Sequence, residues 1–393
     1  MGTFANLNTD LATVQARAQR TAAEQRLRLA IIVPVFNNGE HLRTTAFPSL
    51  VASAHFSRMH VLLIDDGSTY QHTLDAVTEL AAGHPNVTAF FRPTGGSGSA
   101  SLPRNTGLAL SFTDFVGYLD PDDELLEGHW SLVEALDKHP DAELAIGDQV
   151  RVFSEEVQHV DNLRHYLHQP VRPGVGAAGP KVLTQAEFRT TNLSAWAART
   201  HWLKSTGLQQ VAGAAGQDSL FFLQVFAAAS RFAAVEQPTY RYHTQVAGSM
   251  VNTITTGYFR KALLRERAQR DWLQQVGLLE TFRQHRFEHF FVTWYLAKFD
   301  ALPWPQREES ADLLTEIAAL YVGDPSTHRW RFPQTMQFFG RWSLPSAQGL
   351  RPWAGTLKRG AQRTAAGAVG RAARTAQRLK QNVRTRDGTD PSD

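Results

Sequence analysis

Hydrophobic and polar positions alternate with two different periods along the first 150 residues. Short apolar runs, typical of buried strands, occur at 29–36, 59–64, 86–91, 115–119 and 142–147. Amphipathic stretches with helical spacing separate them at 39–54, 70–82, 103–112 and 124–138. Strands that alternate with helices in this way predict an α/β domain built on a parallel sheet.

The alternation weakens beyond residue 150 and gives way to helices. Helices are predicted at 184–190, 198–206, 217–229, 258–276, 278–301 and 308–321. A short amphipathic leader helix is predicted within 7–26, where apolar residues recur at helical spacing. We therefore expect four parts: a leader helix at 1–27, the α/β domain at 28–252, a helical region at 253–345 and a tail at 346–393.

Composition narrows the class of protein. The chain has 393 residues, 42% of them hydrophobic, and nine tryptophans, which indicates a globular protein. The absence of cysteine excludes disulfides, zinc fingers, iron–sulfur ligation and thiol catalysis, and agrees with a reducing compartment. The sequence shows neither a secretory apolar segment near its start nor an apolar run of 18 residues, so we expect a cytoplasmic protein.

Basic residues concentrate near the C-terminus. Residues 356–386 hold nine Lys or Arg and no acidic residue, whereas residues 1–355 hold 31 basic and 34 acidic residues and are close to neutral. The near-neutral body argues against nucleic acid as its partner. The basic segment favours peripheral contact with the anionic inner face of a membrane, or with an anionic polymer. A solvated tail without a partner is the alternative.

Two acidic groups follow the second and fourth predicted strands. Asp65 and Asp66 come directly after the second strand, and the run 120–123 (Asp-Pro-Asp-Asp) follows the fourth. Because ligands bind at the carboxyl ends of parallel strands, we expect both groups in one crevice. The alternative is a solvated turn that begins the helix predicted from Glu124.

The acidic run has the composition of a metal site. Its three carboxylates, Asp120, Asp122 and Asp123, repel one another unless a cation or hydrogen-bond donors compensate. Carboxylate ligands completed by substrate phosphates are typical of Mg²⁺ or Mn²⁺, and the lack of cysteine disfavours zinc.

Several short motifs then occur in a fixed order. They are Ile32-Val33-Pro34-Val35-Phe36-Asn37-Asn38, Ile64-Asp65-Asp66-Gly67-Ser68, Pro103-Arg104-Asn105-Thr106-Gly107, Tyr118-Leu119-Asp120-Pro121-Asp122-Asp123, Gly216-Gln217-Asp218-Ser219-Leu220-Phe221, Tyr240-Arg241-Tyr242-His243 and Gly248-Ser249-Met250. Their order and spacing resemble the family 2 glycosyltransferases. The resemblance covers about residues 28–252 and implies a GT-A fold, a Rossmann-like domain for nucleotide-diphospho-sugar transfer, followed by the helical region.

The resemblance also implies roles for individual residues. The donor-binding residues would be Pro34, Phe36, Asp66, Arg104 and Asp122, with Asp66 accepting a hydrogen bond from a uracil-type ring nitrogen. The metal ligands would be Asp120, Asp122 and Asp123, with His243 as an additional candidate. Asp218 would be the catalytic base of an inverting transfer, taking a proton from the acceptor hydroxyl that attacks the anomeric carbon.

Asp218 and Trp196 each have two competing interpretations. By local pattern alone, Asp218 reads as the N-cap of an apolar helix, and the family motif favours the base. The family usually has an acidic residue just before the base, where this chain has Gln217. Trp196 could stack on a sugar, but a core tryptophan is the better interpretation.

The glycine-rich stretch at 95–98 could be a phosphate-binding loop or a flexible loop. It lacks the Gly-Lys-Ser/Thr of a P-loop, and it does not follow the first strand as a dinucleotide fingerprint would. The resemblance implies a flexible loop that moves over the donor.

The sequence thus predicts an inverting hexosyltransferase that uses Mn²⁺ or Mg²⁺. Its donor would be a nucleotide sugar, a UDP-sugar before others, and its acceptor a hydroxyl of a saccharide, polyol or cell-wall polymer. A non-catalytic nucleotide-sugar-binding protein of the same fold, or a nucleotidyltransferase, are the alternatives. The sequence leaves the oligomeric state open.

Overall fold

A computed structural model describes residues 10–153, 156–163, 166, 174–244 and 254–342. The basic segment at 356–386 and the motif Gly248-Ser249-Met250 lie outside these residues. The described residues all belong to one compact unit, which ends at Ser343. No described helix is long and apolar enough to cross a membrane.

Ten strands are described. They are β1 (Leu29–Val35), β2 (Met59–Asp65), β3 (Val87–Phe91), β4 (Phe115–Tyr118), β5 (Glu124–Leu125), β6 (Leu144–Phe153), β7 (Glu156–Val160), β8 (Val175–Ala177), β9 (Trp196–Arg199) and β10 (Arg231–His243).

The helices surround these strands and dominate the last third of the described chain. They are α1 (Leu11–Glu24), α2 (Gly39–His41), α3 (Phe47–Ala52), α4 (Gln71–Gly83), α5 (Ser101–Ala109), α6 (Trp130–Lys138), α7 (Pro180–Gln185), α8 (Thr200–Ser205), α9 (Gln217–Ala228), α10 (Thr256–Gln275), α11 (Leu279–Phe282), α12 (Glu288–Phe290), α13 (Ala297–Asp300), α14 (Trp304–Val322) and α15 (Pro333–Trp342). Short π-helical turns at Leu42–Ala46, Arg283–Phe287 and Phe291–Leu296 join neighbouring helices.

The strands form one mixed sheet in the order β3-β2-β1-β4-β9-β6-β10-β5, with β7 beside β6 and β8 beside β10. The first four strands are parallel, as the sequence predicts. β9 is antiparallel to both of its neighbours, and β5 is antiparallel to β10. β6 and β10 are again parallel to each other. The prediction of a parallel sheet is therefore right for the first four strands and for this pair, and wrong for β5, β7, β8 and β9.

Two local predictions fail for the same reason. Residues 198–206 were expected to be helical, but Trp196–Arg199 form β9 and the helix α8 begins at Thr200. The helix expected from Glu124 begins at Trp130, because Glu124–Leu125 pair with β10 as a strand. In both places pairing with a neighbouring strand overrides the local preference of the sequence.

The core lies on both faces of the sheet. In β1, Ile31 and Val33 face one cluster of buried side chains, while Ala30 and Ile32 face the other. The second cluster continues without interruption into the helical region. A strand covered on both faces needs apolar residues at every position, which explains the unbroken apolar run at 29–35.

The helical region contains a buried ion pair between Arg265 and Glu266, which are 6% and 2% exposed. Three elements supply hydrogen-bond partners: Tyr295 and Tyr321 donate their hydroxyl protons to Glu266 over 2.6 Å each, and Arg265 donates to Gln269 over 3.1 Å. Among the described residues only Nε of Arg265 is left without a partner in this pair. Burying two charges is costly unless their hydrogen bonds are satisfied. This network therefore fixes the helices α10 and α14 relative to each other.

The buried ring of His129 makes the stability of the fold depend on pH. This ring is fully buried beside Gly117, neither ring nitrogen has a partner within the described residues, and burial lowers the pKa of His129 to about 4. The unfolded chain, with an ordinary pKa near 6.5, binds the proton first, so stability falls as the pH decreases from about 6.5 to about 4. The contribution of this one residue is up to about 3 kcal/mol.

We expect His129→Leu to reduce the loss of stability between pH 7 and pH 4.5. The measurement is urea unfolding at both pH values, with His201→Leu as the control, because His201 is exposed. Equal acid sensitivity in wild type and His129→Leu would contradict the assignment.

Candidate active site

The predicted acidic groups lie on either side of the end of β1. β1 pairs with β2, where Val35 lies opposite Asp65, and with β4, where Ile32 lies opposite Tyr118. The chain segments that follow β2 and β4 therefore emerge at the same edge of the sheet. Asp66 and Asp120 come from these two segments, as the sequence predicts.

The two neighbouring aspartates after β2 have different tasks. Asp65 is buried, and its Oδ1 accepts hydrogen bonds from the main-chain N–H groups of Gly67 and Ser68 at 3.0 and 2.9 Å. It holds the turn. Asp66 is also buried, at 4% exposure, and its carboxylate is directed to the loop after β3.

The loop 95–98 lies directly on Asp66. Ser97 donates both its main-chain N–H and its hydroxyl to Asp66 Oδ2, at 2.8 and 2.7 Å, and Arg92 donates to Oδ1 at 3.0 Å. The carboxylate predicted to receive a base is thus already hydrogen-bonded to the chain itself.

The same loop covers Phe36, which follows β1 and is 44% exposed. Gly96 approaches the ring so closely that a Cβ at this position would lie 2.7 Å from a ring carbon. Gly96 also has a φ of 72°, a conformation that favours glycine. Pro34, the other residue predicted near the base, is buried within β1 opposite Ile64.

Arg104 interacts with two carboxylates from different parts of the chain, those of Asp120 and Asp218. It is 5% exposed in α5 and donates from Nη2 to Asp120 Oδ1 at 2.5 Å. Burial works against its charge, but the carboxylates of Asp120 and Asp218 outweigh burial and raise the pKa of Arg104. The charge of Arg104 therefore interacts both with the acidic run and with the predicted base.

The other two aspartates of the run differ in what they contact. Asp123 is 3% exposed and accepts a hydrogen bond from the main-chain N–H of His243 at 3.0 Å. Burial raises the pKa of Asp123 well above its ordinary value. Burial, and then the charge of Asp120, also raise the pKa of Asp122, whose carboxylate has no side-chain partner in the described part of the chain. Asp122 is thus the carboxylate left available to a ligand.

His243, the additional metal candidate, is bound to Glu124. Its Nε2 lies 2.8 Å from Glu124 Oε1, and Arg241 donates to Glu124 Oε2 at 2.7 Å. Burial opposes the charge of Glu124, but these two hydrogen bonds prevail and lower its pKa. Within the described residues, no group of three or more His, Asp or Glu side chains is arranged to hold a metal ion.

Asp218 lies in the first turn of α9 and does not cap it. Gly216, with a φ of 71°, occupies the N-cap position, and no side-chain cap bond is made there. The carboxylate of Asp218 is half-buried and has no hydrogen bond among the described residues. The N-cap interpretation is therefore wrong, and a carboxylate free to accept a proton remains.

Hydrogen bonds join the segment before α9 to α5. Asn105 donates to the carbonyl of Gln210 and accepts from its N–H, both at 2.9 Å. Gly213 donates its N–H to the hydroxyl of Ser101 at 3.2 Å. Because α5 carries Arg104, these bonds fix the approach to Asp218 relative to Arg104.

The helical region contributes residues that the sequence analysis missed. Lys261 donates from Nζ to the carbonyl of Gly98, and the Arg265 stem lies 3.6 Å from where a Gly216 Cβ would be. Tyr258 is buried, and burial together with nearby charges that include Asp218 raises its pKa to about 12. These three residues share one face of α10, and that helical spacing is the signal that could have identified them.

Trp196 belongs to the core. It is fully buried beside Tyr118 and Phe221, with ring centroids 5.7 and 6.2 Å away. The interpretation as a core tryptophan is confirmed.

Comparison with known proteins identifies the domain. A family model described as glycosyl transferase family 2 matches residues 30–195. The structure resembles that of TarS from Staphylococcus aureus in complex with UDP-GlcNAc, with a TM-score of 0.58 at 16% identity over 76% of this chain and 84% of that one. The likeness confirms the GT-A fold with its C-terminal helices.

Two relatives were also found by sequence. The poly(ribitol-phosphate) β-N-acetylglucosaminyltransferase TarP of S. aureus is 32% identical over 121 residues, 30% of this chain and 36% of TarP. The uncharacterized glycosyltransferase YibD of Escherichia coli is 22% identical over 67% of this chain and 74% of YibD. The match to TarP thus spans about a third of that protein's length.

Gly96→Ala tests the contact between the loop and Phe36. The added methyl group meets the ring, so we expect amide hydrogen exchange in a peptide covering 92–102 to become about tenfold faster. Gly95→Ala is the matched control, since Gly95 also has a positive φ but faces open space.

The double variant Phe36→Ala/Gly96→Ala removes the ring and should recover slow exchange in part. If Gly95→Ala accelerated exchange as much as Gly96→Ala, backbone strain would explain the effect and the ring contact would not.

Proposed function

The chain carries a family 2 glycosyltransferase domain with the GT-A fold, and from this premise we propose that it transfers a sugar from a nucleoside-diphosphate donor to an acceptor hydroxyl with inversion. The observation that carries this proposal is the position of Arg104, whose charge interacts with Asp120 on one side and Asp218 on the other. Such a reaction requires a base for the acceptor hydroxyl and a positive charge that stabilises the leaving diphosphate.

Asp218 is proposed as the base. A hydroxyl is a weak nucleophile until a positioned carboxylate accepts its proton, a contribution of roughly 10²–10⁴-fold in rate. The carboxylate of Asp218 is half-buried and without a hydrogen bond in the described part of the chain, so it can receive this proton. The hydroxyl then attacks the anomeric carbon from the face opposite the diphosphate, and that carbon's bond to the diphosphate oxygen breaks.

Arg104 and Asp122 are proposed for the leaving group. Negative charge develops on the diphosphate as the glycosidic bond breaks, and a preorganised guanidinium stabilises it. Asp122 fits a divalent cation, because its charge is desolvated and lacks a side-chain partner. Asp123 fits less well, since its carboxylate already accepts the N–H of His243. When bound, Mn²⁺ or Mg²⁺ would supply Lewis-acid stabilisation to the diphosphate.

A UDP-sugar is the proposed donor. Asp66 offers an acceptor for the ring N–H of uracil, and Phe36 offers an exposed ring for stacking. TarS, of the same fold, was solved with UDP-GlcNAc. Because the loop 95–98 contacts both Asp66 and the ring of Phe36, donor binding requires this loop to move.

The proposed acceptor is a hydroxyl of a saccharide, polyol or cell-wall polymer. TarP, which shares sequence with part of this domain, is named for transfer of N-acetylglucosamine to poly(ribitol phosphate). The basic segment 356–386 is proposed as a contact for an anionic polymer or membrane surface.

Donor hydrolysis distinguishes the rival functions. The protein is incubated with a panel of UDP-, GDP- and dTDP-sugars and Mn²⁺, and the released nucleotide is identified. Nucleoside diphosphate supports glycosyl transfer, monophosphate or pyrophosphate supports a nucleotidyltransferase, and binding without release supports a non-catalytic protein.

Asp218→Asn tests the base. The amide cannot accept the proton, so we expect kcat for transfer to fall by 10²-fold or more, while the Kd for UDP changes by less than about threefold. Gln217→Glu is the control for the neighbouring buried position, which we expect to retain transfer. A transfer rate in Asp218→Asn near that of wild type would refute the assignment.

Paired substitutions in the acidic run test the metal. We expect EDTA to abolish activity and Mn²⁺ to restore it, and Asp122→Asn to raise the half-saturating Mn²⁺ concentration by about tenfold or more. Asp123→Asn keeps an oxygen that accepts the N–H of His243 and should change this concentration by less than about threefold. Activity unaffected by EDTA would exclude the metal, and a larger effect of Asp123→Asn would reverse the assignment.

A further inference from the structure

The loop 95–98 is held at two points on opposite sides. On the sheet side, Ser97 donates two hydrogen bonds to Asp66. On the side of the helical region, Lys261 donates from Nζ to the carbonyl of Gly98 at 2.5 Å. Between these points Gly96 lies against the ring of Phe36. The loop thus occupies the positions where a base would bond and stack.

Lys261 also contacts the segment that leads to Asp218. Its main-chain carbonyl accepts a hydrogen bond from the N–H of Ala215 at 3.2 Å, three residues before Asp218. One turn further along α10, Cδ of Arg265 lies 3.6 Å from where a Cβ on Gly216 would be. A single residue therefore links the loop over the donor groups to the segment of the base.

The two contacts of Lys261 differ in rigidity. The main-chain contact belongs to α10, which the buried pair of Arg265 and Glu266 fixes in place. The side-chain contact is made by a partly exposed ammonium on a flexible stem. The bond to Gly98 is therefore the one that can open while the base segment stays in place.

We propose that Lys261 is a positioning residue that latches the loop 95–98 onto the base-binding groups, so that a nucleotide enters only when this latch opens. The inference rests on the proposed function, in which Asp66 and Phe36 receive the base of the donor. The loop acts as an internal competitor: the larger the fraction of molecules with the latch closed, the weaker the apparent affinity for nucleotide.

A matched control exists elsewhere in the chain. Lys204 in α8 likewise donates its Nζ to main-chain carbonyls, those of Ala109 at 3.0 Å and Ser111 at 2.5 Å. It lies at the far end of α5 from the loop. Lys204→Met therefore removes the same kind of contact without touching the loop.

The experiment compares wild type, Lys261→Met, Lys261→Arg and Lys204→Met in the full-length chain. Amide hydrogen exchange in a peptide covering 92–102 is measured without nucleotide, and the Kd for UDP with Mn²⁺ is measured by calorimetry. For Lys261→Met we expect loop exchange about five- to tenfold faster and a Kd for UDP about three- to tenfold lower. Lys261→Arg, which keeps a charged donor, should restore both values, and Lys204→Met should change neither.

Three outcomes would overturn the inference. Unchanged loop exchange in Lys261→Met would show that the contact does not hold the loop. Faster exchange with an equal or higher Kd for UDP would show that the loop does not guard the base site. Equal effects of Lys204→Met would show a general loss of stability. A wild type that binds no UDP would refute the proposed donor and with it the guarding role, while the exchange data would still decide whether the latch exists.

Discussion

A buried guanidinium must be compensated by negative charge, and Arg104 imposes this constraint on the whole edge of the sheet. Removing such a cation from water costs several kcal/mol unless carboxylates offset the loss. Asp120 does so by direct contact and Asp218 through its field, although one follows β4 and the other begins α9. Asp120 and Asp218 therefore interact with the same cation, and this fixes their relative position before any ligand binds.

The helical region is part of the site for a similar reason. Arg265 and Glu266 are buried together and hydrogen-bonded to two tyrosine hydroxyls, which makes this part of α10 rigid. The Arg265 stem lies against Gly216, where the chain turns into α9. The rigidity of the buried pair thus extends to the first turn that carries Asp218. A region that the sequence separates from the α/β domain therefore helps to shape its site.

The sequence predicted the first four strands, which are parallel, because strands buried on both faces leave an unbroken apolar run. It missed β9, whose Trp-Ala-Ala-Arg is compatible with a helix and becomes a strand only by pairing with β4 and β6. The acidic residues could be located because strand ends mark the site. Ser97 could not, because a contact with a distant carboxylate leaves no pattern in the local sequence. The helical spacing of Lys261 indicates its face of α10, but not its contact with the carbonyl of Gly98.

The run 120–123 shows how one turn separates three chemically identical side chains. The N–H of Asp123 bonds to the carbonyl of Asp120 at 3.1 Å, so the chain reverses and its carboxylates point to different surroundings. Asp120 meets Arg104, and Asp123 meets the main chain of His243. Asp122 keeps a desolvated charge, raised in pKa by burial and by Asp120. Because a cation would relieve the cost of that charge, the metal site proposed above draws on this one free carboxylate, completed by the phosphates of a donor, where the sequence suggested three.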